Sequence, residues 1–100
     1  MKNNISSGFE LLQDLLKLRW VPEILKSIDR GNHRYSEILS SIDYMSHTEL
    51  NRKLKILLEK QVIEKVDEED EGGYDLLELG EDLVHIFYHL EDLEKKYIAV

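Results

Sequence analysis

The chain has 100 residues, 42% of them hydrophobic, a size typical of one domain with a modest core. It contains no cysteine, which excludes a disulfide framework, a thiolate zinc site and a cysteine nucleophile. Its net charge of −8 shows that the chain as a whole is acidic and not basic. The sequence has no apolar membrane span or signal-peptide core, which predicts a soluble, cytoplasmic protein.

The N-terminal part of the sequence predicts two helices. Residues 1–7 are polar, and apolar residues at helical spacing then indicate a helix over residues 8–18. Because proline is tolerated in a first helical turn, Pro22 is expected to begin a second helix rather than to interrupt one. Gly31 is a natural C-terminal stop for that helix.

Residues 35–61 are typical of a helix-turn-helix. A short third helix is predicted to begin at Tyr35 or Ser36, and a turn follows at residues 43–45. Ser46 stands three residues before Glu49 at the start of an apolar period, which is the pattern of a capping box. The fourth helix is therefore predicted to run from residue 46 to about residue 60.

Two short strands and a last helix complete the pattern. The β-branched run at residues 62–66 and the segment at residues 74–77 flank an acidic loop, and together residues 62–77 resemble the wing of a winged helix. A final helix is predicted over residues 79–97. The fold expected is thus a single winged helix-turn-helix domain over residues 1–100, mainly α with a small two-stranded β wing. Such a fold favours DNA binding over catalysis.

The fourth helix has two chemically distinct faces. Leucines at positions 50, 54, 57 and 58 lie on one side, with polar and cationic residues opposite. Arg pairs with guanine, Asn with adenine and Thr with a thymine methyl, so the base readers are predicted to be His47, Thr48, Asn51 and Arg52. Backbone contacts are predicted for Arg34, Ser36, Lys53 and Lys55, with Ser46 at the helix start. A solvated face of an ordinary amphipathic helix is the plainer alternative.

The two terminal helices are expected to mediate homodimerisation. Leu83, Phe87, Leu90 and Tyr97 form an apolar face that Val84 and Tyr88 widen, and the N-terminal helix is apolar over much of its circumference. A small domain cannot cover both faces with its own core. The expected partners are therefore double-stranded DNA and a second copy of the chain.

Charge is distributed unevenly. Residues 1–63 carry ten Lys/Arg and eight Asp/Glu, whereas residues 64–100 carry three and thirteen. The acidic loop of the wing should be repelled by phosphate, so it is expected to be a solvated turn, to hang clear of a duplex, or to bind a cation or a basic protein. Minor-groove contact by this wing is therefore not expected.

Three further features leave alternatives open. His85 and His89 share a helical face and could ligate zinc or line a dimer interface, but no third ligand is fixed by spacing, so no metal or other cofactor is predicted. Trp20 and the tyrosines could line a small pocket for an unknown effector or pack in the core. No catalytic motif is present.

Several short segments resemble the HxlR-type winged-helix transcriptional regulators, which are related to the MarR-like repressors. They are Arg19-Trp20 before Ile24-Leu25, the run Arg34-Tyr35-Ser36-Glu37-Ile38, the spacing of Ser46, Leu50, Lys53-Leu54 and Leu57, and the run Tyr74-x-Leu76-x-Glu78-Leu79-Gly80. The resemblance covers residues 19–93 and implies a homodimer that binds operator DNA with two recognition helices and two wings.

The chain also departs from that family pattern. The family usually has a cysteine near its N-terminus, so its absence here excludes thiol sensing. Glu71 stands where the wing usually carries Arg, and Leu77 replaces the usual Thr cap of the last helix. The first hypothesis is a homodimeric, sequence-specific transcriptional regulator that acts as a repressor. The alternative is an acidic winged-helix module that binds a protein and contacts DNA weakly or not at all.

Overall fold

The computed structural model describes residues 4–66 and 72–98 and contains five helices and two strands within them. They are α1 (Asn4–Lys17), α2 (Val21–Asp29), α3 (Tyr35–Ser41), α4 (His47–Glu59), β1 (Ile63–Val66), β2 (Gly73–Leu76) and α5 (Glu78–Tyr97). This order confirms the predicted winged helix-turn-helix. The expectations for residues 1–3 and for the acidic segment 67–71 lie outside the described residues.

The boundaries differ slightly from the predicted ones. Helix α1 begins at Asn4, four residues before the predicted start, because asparagine and serine are unfavourable inside a helix but favoured near its N-terminus. The strands and α5 are each displaced by about one residue, within the usual uncertainty of element ends. Gly31 follows α2 with φ +108°, as expected of a glycine that ends a helix.

One hydrophobic core joins all five helices and the start of the wing. Its members are almost completely buried, and they come from elements before, within and after the helix-turn-helix. They are Leu15, Val21, Ile24, Leu25, Ile28, Ile38, Ile42, Leu50, Leu54, Leu57, Val62, Ile63, Leu83, Val84 and Phe87. Helix α2 is central, since it packs against α1, α3, α5 and β2.

The wing is tied to the start of α3. Strands β1 and β2 are antiparallel, with Ile63 opposite Leu76. The backbone N–H of Tyr74 donates to the His33 carbonyl at 2.8 Å, and Arg34 forms an isolated antiparallel bridge with Gly73. The extended link before α3 thus behaves as a third strand at the edge of β2, which fixes the wing relative to the helix-turn-helix.

Helix α5 is attached to the residue before β1 by a backbone hydrogen bond and to α2 by an ion pair. The Leu77 N–H donates to the Val62 carbonyl at 3.0 Å, which attaches the start of α5 to the residue before β1. Leu77 supplies no side-chain cap to the first turn of α5. Gly80 allows this close approach, because a Cβ there would lie 2.4 Å from the Val62 oxygen. Farther along, Glu91 is ion-paired with Lys26 of α2, and this hydrogen bond lowers the pKa of Glu91.

Candidate DNA-binding surface

Helix α4 is anchored by the leucines that the sequence placed on its inner face. Leu50, Leu54 and Leu57 are buried in the core, and Leu58 is partly buried against it. The Ser46 hydroxyl accepts a hydrogen bond from the Glu49 N–H at 3.1 Å, which satisfies one of the free donors of the first turn. The predicted cap is therefore confirmed, although the Glu49 carboxylate pairs with Lys53 rather than returning to Ser46.

The opposite face of α4 is exposed to solvent. We call Thr48, Asn51, Arg52 and Lys55 the outer face of α4, and each is exposed, as the helical periodicity predicts. It presents two cations, an amide and a hydroxyl, which are the groups that proteins use on base edges and phosphates. The helix is 13 residues long and could span a major groove.

His47 is held by a residue that the sequence analysis did not single out. The Tyr35 ring of α3 stacks on the His47 ring with centroids 5.8 Å apart and planes 15° apart. The Tyr35 hydroxyl also donates to the His47 carbonyl at 3.3 Å and lies 3.2 Å from Nδ1. The start of α4 is thereby fixed against the start of α3. Tyr35 and His47 are twelve positions apart in the sequence, so no short-range sequence pattern could predict the contact.

Lys53 does not lie where the sequence analysis expected it. It was predicted as an available phosphate contact on the flank of α4, but it is only 8% exposed. Its ammonium lies 3.0 Å from the Glu49 carboxylate, one turn earlier on the same helix. Because an amphipathic helix also packs at its flanks, the aliphatic stem of Lys53 is buried and its charge is neutralised internally.

Arg34 and Ser36 are exposed at the N-terminal end of α3. The Glu37 carboxylate accepts hydrogen bonds from the backbone N–H groups of His33 and Arg34, both at 3.1 Å, and so caps this helix. Ser46 is likewise exposed at the start of α4. The predicted contact residues therefore lie at the starts of α3 and α4 and along the outer face of α4, with Lys53 as the exception.

The terminal helices expose large apolar side chains. On α5 the residues Leu83, Val84 and Phe87 belong to the core of the same chain, which corrects their predicted place on a dimer surface. They are buried because α5 packs along α2. The same helix leaves Ile86 exposed among them and, farther along, leaves Leu90, Leu93, Tyr97 and, just past its end, Ile98 exposed. Helix α1 leaves Phe9, Leu11 and Leu12 exposed.

The remaining sequence features have no assigned role. A cavity of about 360 Å³ lies beside the helix-turn-helix turn, and Trp20, Lys26, Arg30 and Tyr44 are on its wall. Whether an effector binds there stays a prediction. Within residues 4–66 and 72–98, no group of three His, Asp or Glu side chains could hold a metal ion.

A family model described as "HxlR-like helix-turn-helix" matches residues 15–100 of the chain. The chain belongs to the HxlR-like helix-turn-helix family. The resemblance noted from short motifs is thereby confirmed. Proteins of this family are DNA-binding transcriptional regulators rather than enzymes.

Solved structures agree with this family. The reduced form of the transcriptional regulator YodB from Bacillus subtilis is 25% identical, with a TM-score of 0.77 over 98% of this chain and 95% of that chain. Diamide-treated YodB is 26% identical, with a TM-score of 0.71 over 97% and 95%. A candidate MarR-family regulator from Porphyromonas gingivalis W83 shares the fold, with 22% identity and a TM-score of 0.72 over 98% of each chain.

No curated protein matches the chain by sequence. Among the helices that the structure describes, none combines the length and the apolar character needed to cross a membrane.

Proposed function

We propose that this HxlR-like regulator is a homodimer that reads operator DNA through the major groove with the helix at residues 46–60, and that it represses transcription. The observation that carries the proposal is the exposed outer face of α4, whose Arg52 and Lys55 project opposite the buried leucines. Bases would be read by His47, Thr48, Asn51 and Arg52. Phosphates would be held by Arg34, Ser36 and Lys55, while the paired and buried Lys53 is removed from that group.

Homodimerisation is supported by the apolar side chains that α1 and α5 leave uncovered. Among the residues whose exposure the structure describes, eight large apolar side chains are exposed on these two helices and at the end of α5, which is a costly arrangement for a monomer in water. A two-fold pairing would bury them. It would also set two copies of α4 roughly 34 Å apart, the spacing of successive major grooves on one side of a duplex. Repression would follow if the bound dimer occludes its operator.

A second candidate function rests on charge. Residues 64–100 carry a net charge of −10, so the wing and α5 could bind a basic protein while DNA is contacted weakly or not at all. The two candidates make opposite predictions for salt dependence, because phosphate contacts release counterions from the duplex.

Titration of a random-sequence duplex at several salt concentrations separates these candidates. The DNA-binding proposal requires clear binding at low salt that weakens as salt rises, whereas the protein-interaction candidate requires binding that is barely detectable or absent even in dilute buffer. Selection of bound sequences from the same pool should then yield inverted repeats with half-sites about one helical turn apart. Failure to enrich any sequence would contradict specific recognition.

A further inference from the structure

Tyr35 contacts His47 at the point where α4 begins, although the sequence analysis gave Tyr35 no part in DNA contact. We propose that Tyr35 is a positioning residue that fixes the tautomer of His47, so that the outer ring nitrogen, Nε2, accepts a hydrogen bond from a base. The base selected opposite His47 would then be adenine or cytosine. This inference rests on the proposed DNA-binding function and names the class of base that one of its readers recognises.

Tyr35 is anchored in the helix-turn-helix, whereas His47 is open to solvent. Tyr35 is the first residue of α3 and is partly buried against the hydrophobic core, and the Glu37 carboxylate caps its helix. His47 is exposed at the first residue of α4, where recognition helices usually meet base edges. The anchored ring can therefore orient the exposed ring without covering it.

The hydrogen bonds of the Tyr35 hydroxyl determine which nitrogen of His47 carries the proton. The hydroxyl has one hydrogen, and it donates this hydrogen to the His47 carbonyl oxygen, which can only accept, at 3.3 Å. The same hydroxyl oxygen lies 3.2 Å from Nδ1 of His47. Since the hydroxyl hydrogen is already used, the second contact is a hydrogen bond only if Nδ1–H donates to the hydroxyl oxygen. Both contacts are satisfied by the Nδ1–H tautomer, which leaves Nε2 without a hydrogen.

The ring stack limits how far the His47 imidazole can turn away from this arrangement. The two ring centroids are 5.8 Å apart and the ring planes differ by 15°. Within residues 4–66 and 72–98, the hydrogen bonds of the His47 ring involve Nδ1 and none is formed by Nε2. An oriented acceptor on an exposed residue of the first turn suits a donor that the duplex supplies.

An acceptor at this position distinguishes the bases by their major-groove edges. Adenine presents its N6 amino group and cytosine its N4 amino group, whereas guanine presents two acceptors and thymine presents one acceptor and a methyl group. A neutral His47 with a bare Nε2 can therefore pair with adenine or cytosine, but it would face an acceptor at guanine or thymine. Without the Tyr35 hydroxyl both tautomers are available, and His47 could also donate to guanine or thymine.

The tautomer can be measured on the full chain without DNA. Long-range ¹H–¹⁵N correlation spectra distinguish the two neutral tautomers of histidine by their ring-nitrogen shifts, and His47→Gln identifies the signals of His47. At about pH 8, above the range in which histidines usually titrate, wild-type His47 should be in the Nδ1–H form. Tyr35→Phe keeps the stacked ring and removes the hydroxyl, so it should shift His47 toward the Nε2–H form. A wild-type His47 in the Nε2–H form would overturn the inference.

The base preference is measured at the same pH by selecting bound sequences from a random duplex pool. His47→Gln offers both a donor and an acceptor, so it should remove the preference at one position of each half-site and thereby identify the contacted base. At that position the wild-type chain should favour adenine or cytosine over guanine and thymine by about fivefold, the usual effect of one hydrogen bond. Tyr35→Phe should bring this ratio close to one and leave the other positions unchanged.

Two further variants separate positioning from a general structural effect. Tyr44→Phe removes the hydroxyl of an exposed tyrosine in the turn between α3 and α4, and it should change neither the tautomer of His47 nor the base preference. Tyr35→Phe in the His47→Gln background should alter no base preference, because Tyr35 is proposed to act only through His47. A change in that background would show that Tyr35 acts on the helix-turn-helix as a whole, which would overturn the inference.

The outcomes distinguish this inference from the proposed function. If the wild-type chain shows no clear binding to duplex DNA at low salt, the proposed function fails and the base contact of His47 fails with it. If the chain enriches an operator but no position depends on His47, or the dependent position is guanine or thymine, the inference is wrong while the proposed function stands. The same conclusion follows if Tyr35→Phe retains the wild-type preference.

Discussion

The Lys53 ammonium lies 3.0 Å from the Glu49 carboxylate, one turn apart on the flank of the helix proposed to enter DNA. The pair is asymmetric, since the side chain of Lys53 is 9% exposed and that of Glu49 is 40% exposed. Lys53 therefore depends on Glu49 for neutralisation much more than Glu49 depends on Lys53. The carboxylate stabilises a buried cation at the boundary between the core and the outer face of α4.

This relationship makes the stability of the fold depend on Glu49 and on pH. Glu49→Gln should lower the free energy of unfolding at pH 7, because the Lys53 ammonium would stay buried without its counter-charge. The folded state lowers the pKa of Glu49, so its contribution is present above the ordinary value of 4.5 and is lost as the pH falls through the lowered value. Urea unfolding at several pH values should show the two proteins converging in acid.

A control for that experiment is Glu59→Gln, which removes an exposed carboxylate from the last turn of the same helix. It should leave the free energy of unfolding at pH 7 close to that of the wild type. A Glu49→Gln deficit that persisted unchanged in acid would contradict an ionic origin.

Base recognition is predicted to be most sensitive at Arg52. Arg52→Ala should weaken binding to the selected sequence by about 1–3 kcal/mol and relax the preference at one base position, because a bidentate contact to guanine would be lost. Lys55→Ala should instead weaken binding about equally for all sequences and reduce the salt slope. Competition assays with a set of single-base variants of the site distinguish these effects. Equal losses on all duplexes for Arg52→Ala would show that it holds a phosphate.

Patterns that extend over a few residues predicted most of the fold. The Ser46 cap, the buried Leu50, Leu54 and Leu57, and the glycine stop at Gly31 depend on local spacing and backbone preference, and all are present. The outer face of α4 follows from the same helical period. The element order could therefore be predicted from the sequence without knowledge of tertiary contacts.

The features that the sequence analysis missed all depend on which other parts of the chain pack against a given helix. Helical spacing placed Lys53 on a flank, but only the neighbouring structure decides whether a flank is covered. The contact between Tyr35 and His47 likewise joins residues that are distant in sequence. The helical period of α5 predicted one apolar face. It could not show which positions of that face are buried in the core and which, beyond Phe87, are exposed.

Tyr44 is a site of stored strain in the turn between α3 and α4. It has φ +67° and is 97% exposed, so no burial compensates the left-handed backbone. Tyr44→Gly should raise the free energy of unfolding by about 1 kcal/mol, since glycine removes the left-handed penalty at a smaller cost in unfolded-state entropy. Urea unfolding measures this gain.

Tyr44→Ala is the matched control for that substitution. Alanine removes the aromatic ring but retains a Cβ, so it should give no comparable gain. An equal gain from both variants would show that the ring and not the backbone is responsible. A loss of stability in Tyr44→Gly would show that Tyr44 makes a favourable contact greater than its backbone penalty.

The apolar surface of α5 should determine the oligomeric state. Leu90 is 51% exposed in the single chain, three residues past the buried Phe87. Leu90→Glu should convert a dimer to a monomer without unfolding the chain, because a carboxylate would be buried without a partner in the dimer but hydrated in the monomer. Light scattering coupled to size exclusion gives the mass, and circular dichroism reports the helix content.

Ser40→Glu is a suitable control because it adds the same charge at an exposed position on α3, away from both terminal helices. It should leave the mass unchanged. If Leu90→Glu remains a dimer, the exposed face of α5 is not the interface and a different pairing must position the recognition helices. If it becomes a folded monomer, binding to an inverted repeat should weaken far more than binding to a random duplex, because the coupling of two half-sites would be lost while single-protomer contacts remain.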